Sequence, residues 1–253
     1  ILALGWQGRG EQWKAHNRTV LHLSGLATPL VLSVHSVVSW DFAMSIVPGW
    51  HATIFAPYFV AGAIFGGFAM VIVVMVPVRR IFGLEDYITN YHFENMSRFI
   101  LLTSLICGYA YGAEYFIAWY SGSEFEQTSF WLRAFGPYWF STWCMITFNV
   151  IFPQLLWFKR LRTNIPFLFI LCFLINLGMW FERYVIIITS LSREYIPAAW
   201  GLYIPSPVEL SVLAGSFCWF SMFFLLFLKI FPVIAISEMK ELAIHEKAHG
   251  GAH

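Results

Sequence analysis

A chain of 253 residues that is 59% hydrophobic and only 11% charged cannot coat a soluble domain, which carries about 25% charged residues. Its net charge of +1 gives no reason to expect nucleic acid or an acidic substrate as a partner. The mean hydropathy of +0.67 and the 12 Trp fit a protein with two membrane interfaces to line.

In chain order, residues 1–17 read as a polar lead-in, too short and too polar for a signal peptide. Six apolar stretches follow, at 18–41, 52–78, 97–121, 134–158, 164–190 and 207–235. Each is long enough for a hydrocarbon layer of about 30 Å, which takes about 20 residues per helix. The expected fold is therefore all-α, a polytopic bundle of about six helices over 18–235, with a polar tail at 236–253. The runs are continuously apolar rather than alternating, which excludes the strands of a membrane barrel. Gly62 and Gly66 make a GxxxG step that admits a close neighbour. Pro29 and Pro153 fall inside the first and fourth stretches, where each should kink the helix and free a carbonyl. Cys107, Cys144, Cys172 and Cys218 lie in apolar runs without redox or zinc spacing and read as small hydrophobes.

The basic residues divide unevenly between the two sides. Arg9, Lys14, Arg18, Arg79, Arg80, Arg98, Lys159, Arg160, Arg162, Lys229, Lys240 and Lys247 share one side, and only Arg133 and Arg193 fall on the other. The positive-inside rule then predicts that both termini are cytoplasmic.

Charge inside hydrocarbon is costly and marks function. Away from helix ends the ionisable groups are few: His35 in the first stretch, Glu114 in the third, Glu182 and Arg183 in the fifth. At 1.5 Å per residue these lie at similar depths, about 25–27 Å from the cytoplasmic entry of each helix. Asp41, His51 and Glu209 sit slightly further out. Three helices thus present ionisable groups at one level. A structural ion pair would explain part of this, but a mixture of His, carboxylate and Arg suits proton-coupled chemistry better.

Haem between facing His residues needs a partner for His22 or His35, and the later stretches offer no interior His. Clustered Cys for an iron–sulfur centre, a P-loop, a dinucleotide turn and a nucleophile elbow are all missing from the sequence. A quinol fits the inventory. Its ring would enter from lipid among Trp40, Trp50, Trp119, Trp180 and Tyr184, and its hydroxyls would meet a carboxylate and a His. An interfacial aromatic belt explains each of these rings equally well.

The run LHLSGLATPLVLSVHSVVSWDFAMSIVPGWHATIFAPYFVAGAIFGG at 21–67 resembles the NrfD/polysulfide-reductase-C family of quinol-interacting membrane subunits. The segments GYAYGAEYFIAWYSG at 108–122 and WFERYVIIITSLSREYIP at 180–197 are similar to the branch found in bacterial alternative complex III. The resemblance implies a subunit of the bacterial inner membrane that binds no cofactor itself. It would oxidise quinol or menaquinol near the outer face and pass electrons to a peripheral iron–sulfur subunit. Haem c, cytochrome c and further membrane subunits would belong to the rest of the complex, and proton translocation is an added expectation. Asp41 in SWDF and Arg183 in FERY match positions at the family's quinol site. Asp41, His35 and Arg183 are thus the expected catalytic residues, with Glu182, Glu114, Trp40 and His51 expected to bind substrate. Glu114 enters on depth alone. Family members have eight or more helices, so the chain reads as the later part of a longer subunit. The rival readings are a proton-conducting or transporter subunit and a structural anchor without chemistry of its own.

Overall fold

The computed structural model describes residues 5–47, 49–50, 52–193, 195–231, 235 and 239. Among them every regular element is helical. Two compact units divide the chain, 1–202 and 203–253.

In the first unit, α1 (Gly10–Ala43) begins eight residues before the expected apolar stretch, so half of the polar lead-in is helix. Pro29 lies inside α1, and Ser33 Oγ donates to the Pro29 carbonyl at 2.7 Å. Thr28, Ser36 and His35 likewise turn back onto carbonyls four residues earlier. That local bonding lets polar side chains sit on a helix in lipid without outside partners.

The core lies among α2 (Phe55–Ile81), α3 (Asn90–Tyr120) and α7 (Ile165–Tyr184). Phe65, Ile72, Phe93, Ile100, Leu168 and Ile175 are fully buried between them. Cys107 and Cys172 join this core as small hydrophobes, whereas Cys144 is half-buried and Cys218 exposed. The Gly62–Gly66 step faces α7: the space a Cβ would take at each is bordered by the Met179 side chain at 3.4 and 3.5 Å. The step thus makes room for a side chain rather than for a bare backbone.

Among the described residues, five helices are long and apolar enough to cross a membrane: α1, α2, α3, the run Ile165–Leu191 and, in the second unit, α8 (Pro207–Ile230). The fourth expected span behaves differently. A separate short helix, α4 (Glu124–Phe135), ends where the sequence predicts that span to begin, and Gly136-Pro137 breaks the chain. Helix resumes as α5 (Trp139–Ile146), loosens into a π turn at Thr147–Ile151 and tightens to 3-10 at Phe152–Trp157. Pro153 accounts for part of this. It has no N–H for the carbonyl four residues back, and Ser104 Oγ on α3 donates to that carbonyl, Asn149 O, at 2.7 Å. The short α6 (Lys159–Arg162) leads into α7, whose N-cap Asn164 accepts from the Phe167 amide at 3.2 Å. A second π turn, Val185–Thr189, continues α7.

In the second unit, α8 is started by a capping box. Ser206 Oγ accepts from the Glu209 amide at 3.3 Å, and the Glu209 carboxylate accepts from the Ser206 amide at 2.6 Å. The polar tail expected at 236–253 lies outside the described residues, Met239 excepted.

Gly178 on α7 meets the first π turn so closely that a Cβ there would collide with the side chains of Asn149 and Phe148. Gly178→Ala should therefore lower stability by about 1–3 kcal/mol, read as an earlier thermal unfolding midpoint of the purified protein. An unchanged midpoint would mean the helices do not pack this tightly.

Candidate functional site

Polar groups inside the first unit collect in two neighbouring places. In the first, Glu182 on α7 is almost wholly buried, at 1% exposure. Tyr111 on α3 donates its hydroxyl proton to Glu182 Oε2 at 2.5 Å. The Asn149 side-chain amide, carried on the first π turn, donates to the Tyr111 oxygen at 3.0 Å. Gln154 on the 3-10 turn donates to Ser104 Oγ at 3.4 Å, and Ser104 in turn bonds the Asn149 carbonyl. Two hydrogen-bonded runs thus meet at Asn149: Gln154 and Ser104 reach its backbone carbonyl, and its side-chain amide leads through Tyr111 to Glu182.

Among the described residues the second carboxylate oxygen of Glu182 makes no hydrogen bond of ordinary length, although the Tyr58 hydroxyl also acts on this carboxylate. Its nearest cation is the adjacent Arg183, with Nη2 at 3.9 Å from Oε1. That is long for an ion pair, as expected for neighbours that point about 100° apart on a helix. Arg183 instead lays its guanidinium over the Phe59 ring at 4.5 Å, with 40% of the side chain exposed. Phe59 also packs on Phe42 at 5.4 Å between ring centroids, and Phe42 on Trp50 at 4.8 Å. The Trp50 indole donates to the Ile186 carbonyl at 2.8 Å, tying the loop after α1 to the second π turn.

The second place is a small cavity walled by Tyr58, Tyr111, Glu114, Tyr115, Arg133, Met145, Val185 and Ile186. Glu114 and Arg133 act on each other electrostatically across it. Arg133 is 4% exposed, and its Nη2 donates to Ser190 Oγ at 2.6 Å. It also lies over the Phe130 ring at 4.5 Å. Among the described residues, Glu114 Oε1, the Tyr115 hydroxyl and Arg133 Nε are buried without hydrogen-bond partners. Buried polar atoms are seldom left unpaired, which sets this group apart from the apolar packing around it. Beside it a cavity of about 570 Å³ opens between the end of α3 and α4, lined by Tyr115, Trp119, Phe130, Trp131 and Phe135 among others.

Of the residues selected from sequence, Glu182, Arg183 and Glu114 come together around α3 and α7. Asp41 lies exposed near the end of α1 and makes no hydrogen bond or ion pair with another described residue. Its chain neighbour Phe42 reaches the Phe59 ring on which Arg183 lies. His35 is half-buried with its ring on the Val31 carbonyl at 2.9 Å. Trp40 is 53% exposed, and Trp180 stacks on Tyr184 at 5.8 Å. His51 lies outside the described residues.

Sequence reasoning assigns no site role to Tyr58, Tyr111, Arg133 or Asn149. It puts Arg133 in an outer loop, but the structure buries that residue on α4. The Gly136-Pro137 stop signal after it marks the separate short helix that makes this burial possible.

Residues 9–193 match the family model described as polysulphide reductase, NrfD. No curated protein matches the chain.

Tyr111→Phe should cost about 1–3 kcal/mol, because it strips a buried carboxylate of its donor and the Asn149 amide of its acceptor. Thermal unfolding beside Tyr120→Phe, at the exposed end of α3, is the check. Equal midpoints for the two variants would mean that the Glu182 network carries no stability.

Proposed function

The chain belongs to the polysulphide reductase NrfD family, and from that membership we propose that it is the quinol-oxidising membrane subunit of a respiratory complex. The family consists of multi-pass membrane subunits of quinol-linked redox complexes, whose partners include iron–sulfur subunits. The finer reading rests on one observation: Arg183 lies on Phe59, which packs on Phe42, the chain neighbour of the exposed Asp41. An aromatic surface carrying a guanidinium, with an acid on the adjoining residue, suits a quinol ring and its hydroxyls.

In this reading the quinol gives up two electrons and two protons to become quinone. Asp41, with His35 six residues earlier on the same helix, accepts protons as the hydroxyls ionise. Arg183 steadies the developing negative charge on the ring oxygen. The electrons pass to an iron–sulfur subunit at the outer face and from there to a cytochrome c. The quinol is the substrate, and the iron–sulfur clusters and haem c are assigned to partner subunits of a complex of the alternative complex III type in the bacterial inner membrane.

A second reading, proton conduction, is favoured by the two hydrogen-bonded runs that meet at Asn149. It is compatible with quinol oxidation in the same subunit.

Asp41→Asn should reduce quinol turnover by about 100-fold or more, the range for loss of a general base, while the complex still assembles. Arg183→Ala should weaken binding of a quinol analogue to the same complex. Normal turnover in both variants would remove the quinol from this place. If proton conduction operates, Asn149→Ala should lower protons moved per electron while sparing quinol oxidation.

A further inference from the structure

The ends of α2, α3 and α6 place an excess of positive charge at one end of the spans. Residues 79–98 and 159–162 hold six cations, Arg79, Arg80, Arg98, Lys159, Arg160 and Arg162, against three carboxylates, Glu85, Asp86 and Glu94. Internal bonding neutralises only part of this. Glu94 takes Arg98 at 2.8 Å and Arg162 at 3.4 Å, drawing the start of α3 against α6. Arg79 is spent on the Ile88 carbonyl, to which its Nε donates at 2.7 Å, and on the face of Phe93. Arg80, Lys159 and Arg160 are exposed and make no ion pair among the described residues. Arg162 Nε is buried without a hydrogen-bond partner.

Immediately before these cations stand Trp157 and Phe158, 61% and 64% exposed. The backbone turns directly from them into α6, with the Leu161 and Arg162 amides both bonded to the Phe158 carbonyl. Two large exposed apolar rings therefore adjoin an unneutralised cationic turn, at the level where the apolar helices end.

We propose that this face, formed by Trp157, Phe158, Lys159 and Arg160, is a binding site for an anionic phospholipid. The phosphate would lie against Lys159 and Arg160, and the acyl chains would run down past Trp157 and Phe158. Basic clusters between membrane helices at the headgroup level select anionic lipids. The aromatic flank distinguishes a lipid from a free phosphate, which gains nothing from Trp157 or Phe158. Glu94 sets the geometry by holding Arg98 and Arg162 together, which leaves the α6 turn presenting Lys159 and Arg160 outward.

The test is native mass spectrometry of the intact complex taken from nanodiscs of mixed phosphatidylcholine and cardiolipin. Cardiolipin should be retained well above its share of the bilayer. The double variant Lys159→Gln/Arg160→Gln should weaken that retention about 30-fold, the loss expected for two cations at an anionic headgroup. Trp157→Ala alone should lower it too, while Arg193→Gln, at the opposite end of α7, should not. Retention indifferent to the double variant overturns the proposal. So does displacement of the lipid by millimolar inorganic phosphate alone, which would make this a free-anion site. Loss of a protein subunit from the double variant with cardiolipin retained would also overturn it, by assigning the charge to a protein contact.

Discussion

A carboxylate in the middle of packed helices cannot turn to water, so its surroundings must supply whatever it needs. Glu182 meets that constraint through the Tyr111 hydroxyl, and the demand propagates outward. Tyr111 needs a donor of its own and receives one from Asn149; the Asn149 backbone carbonyl, in turn, accepts a hydrogen bond from Ser104. Each group is held by the next, and three helical segments are thereby fixed in rotation as well as in distance. The apolar contacts between Phe65, Ile100 and Ile175 fill space, but contacts of that kind tolerate rotation and sliding far better than hydrogen bonds do.

The irregular stretches of backbone serve the same network. Asn149 is carried on a π turn, and Glu182 and Arg183 come just before another. A π turn inserts one residue into a helix and re-aims the side chains beyond it, and such turns recur at functional sites. Pro153 contributes by withdrawing a donor from the carbonyl that Ser104 then uses. Gly178 completes the fit by letting α7 approach the loosened turn. A proline, a glycine and an extra residue therefore act together, and each would be a defect if it stood alone.

Much of the architecture was legible because lipid enforces simple rules on sequence. Continuous apolar runs of span length marked the helices, and rare charges within them drew attention to Glu114, Glu182 and Arg183. The partners of those charges were less visible. Tyr111 is one of many aromatic residues in a chain that is 19% aromatic, and no local pattern separates a belt tyrosine from one bonded to a carboxylate. Arg133 adjoins an apolar stretch and reads as a loop charge until Gly136-Pro137 is taken as the end of its own helix. The fourth span obscured its interior because α, π and 3-10 turns share one hydropathy and differ only in hydrogen-bond register. Asp41 stood out by motif and His35 by depth, and the structure leaves Asp41 exposed and His35 half-buried on α1.

The second π turn has a consequence for how this chain can vary. Ser190, which binds the Arg133 guanidinium, comes directly after the inserted residue at Val185–Thr189. Removing one residue there would restore a regular helix and swing Ser190 about 100° around its axis. Arg133 would lose its hydroxyl partner while remaining buried opposite Glu114. Across related sequences the length of this segment and a basic residue at the position of Arg133 should thus be inherited as a pair, and a one-residue gap should coincide with the loss of that arginine.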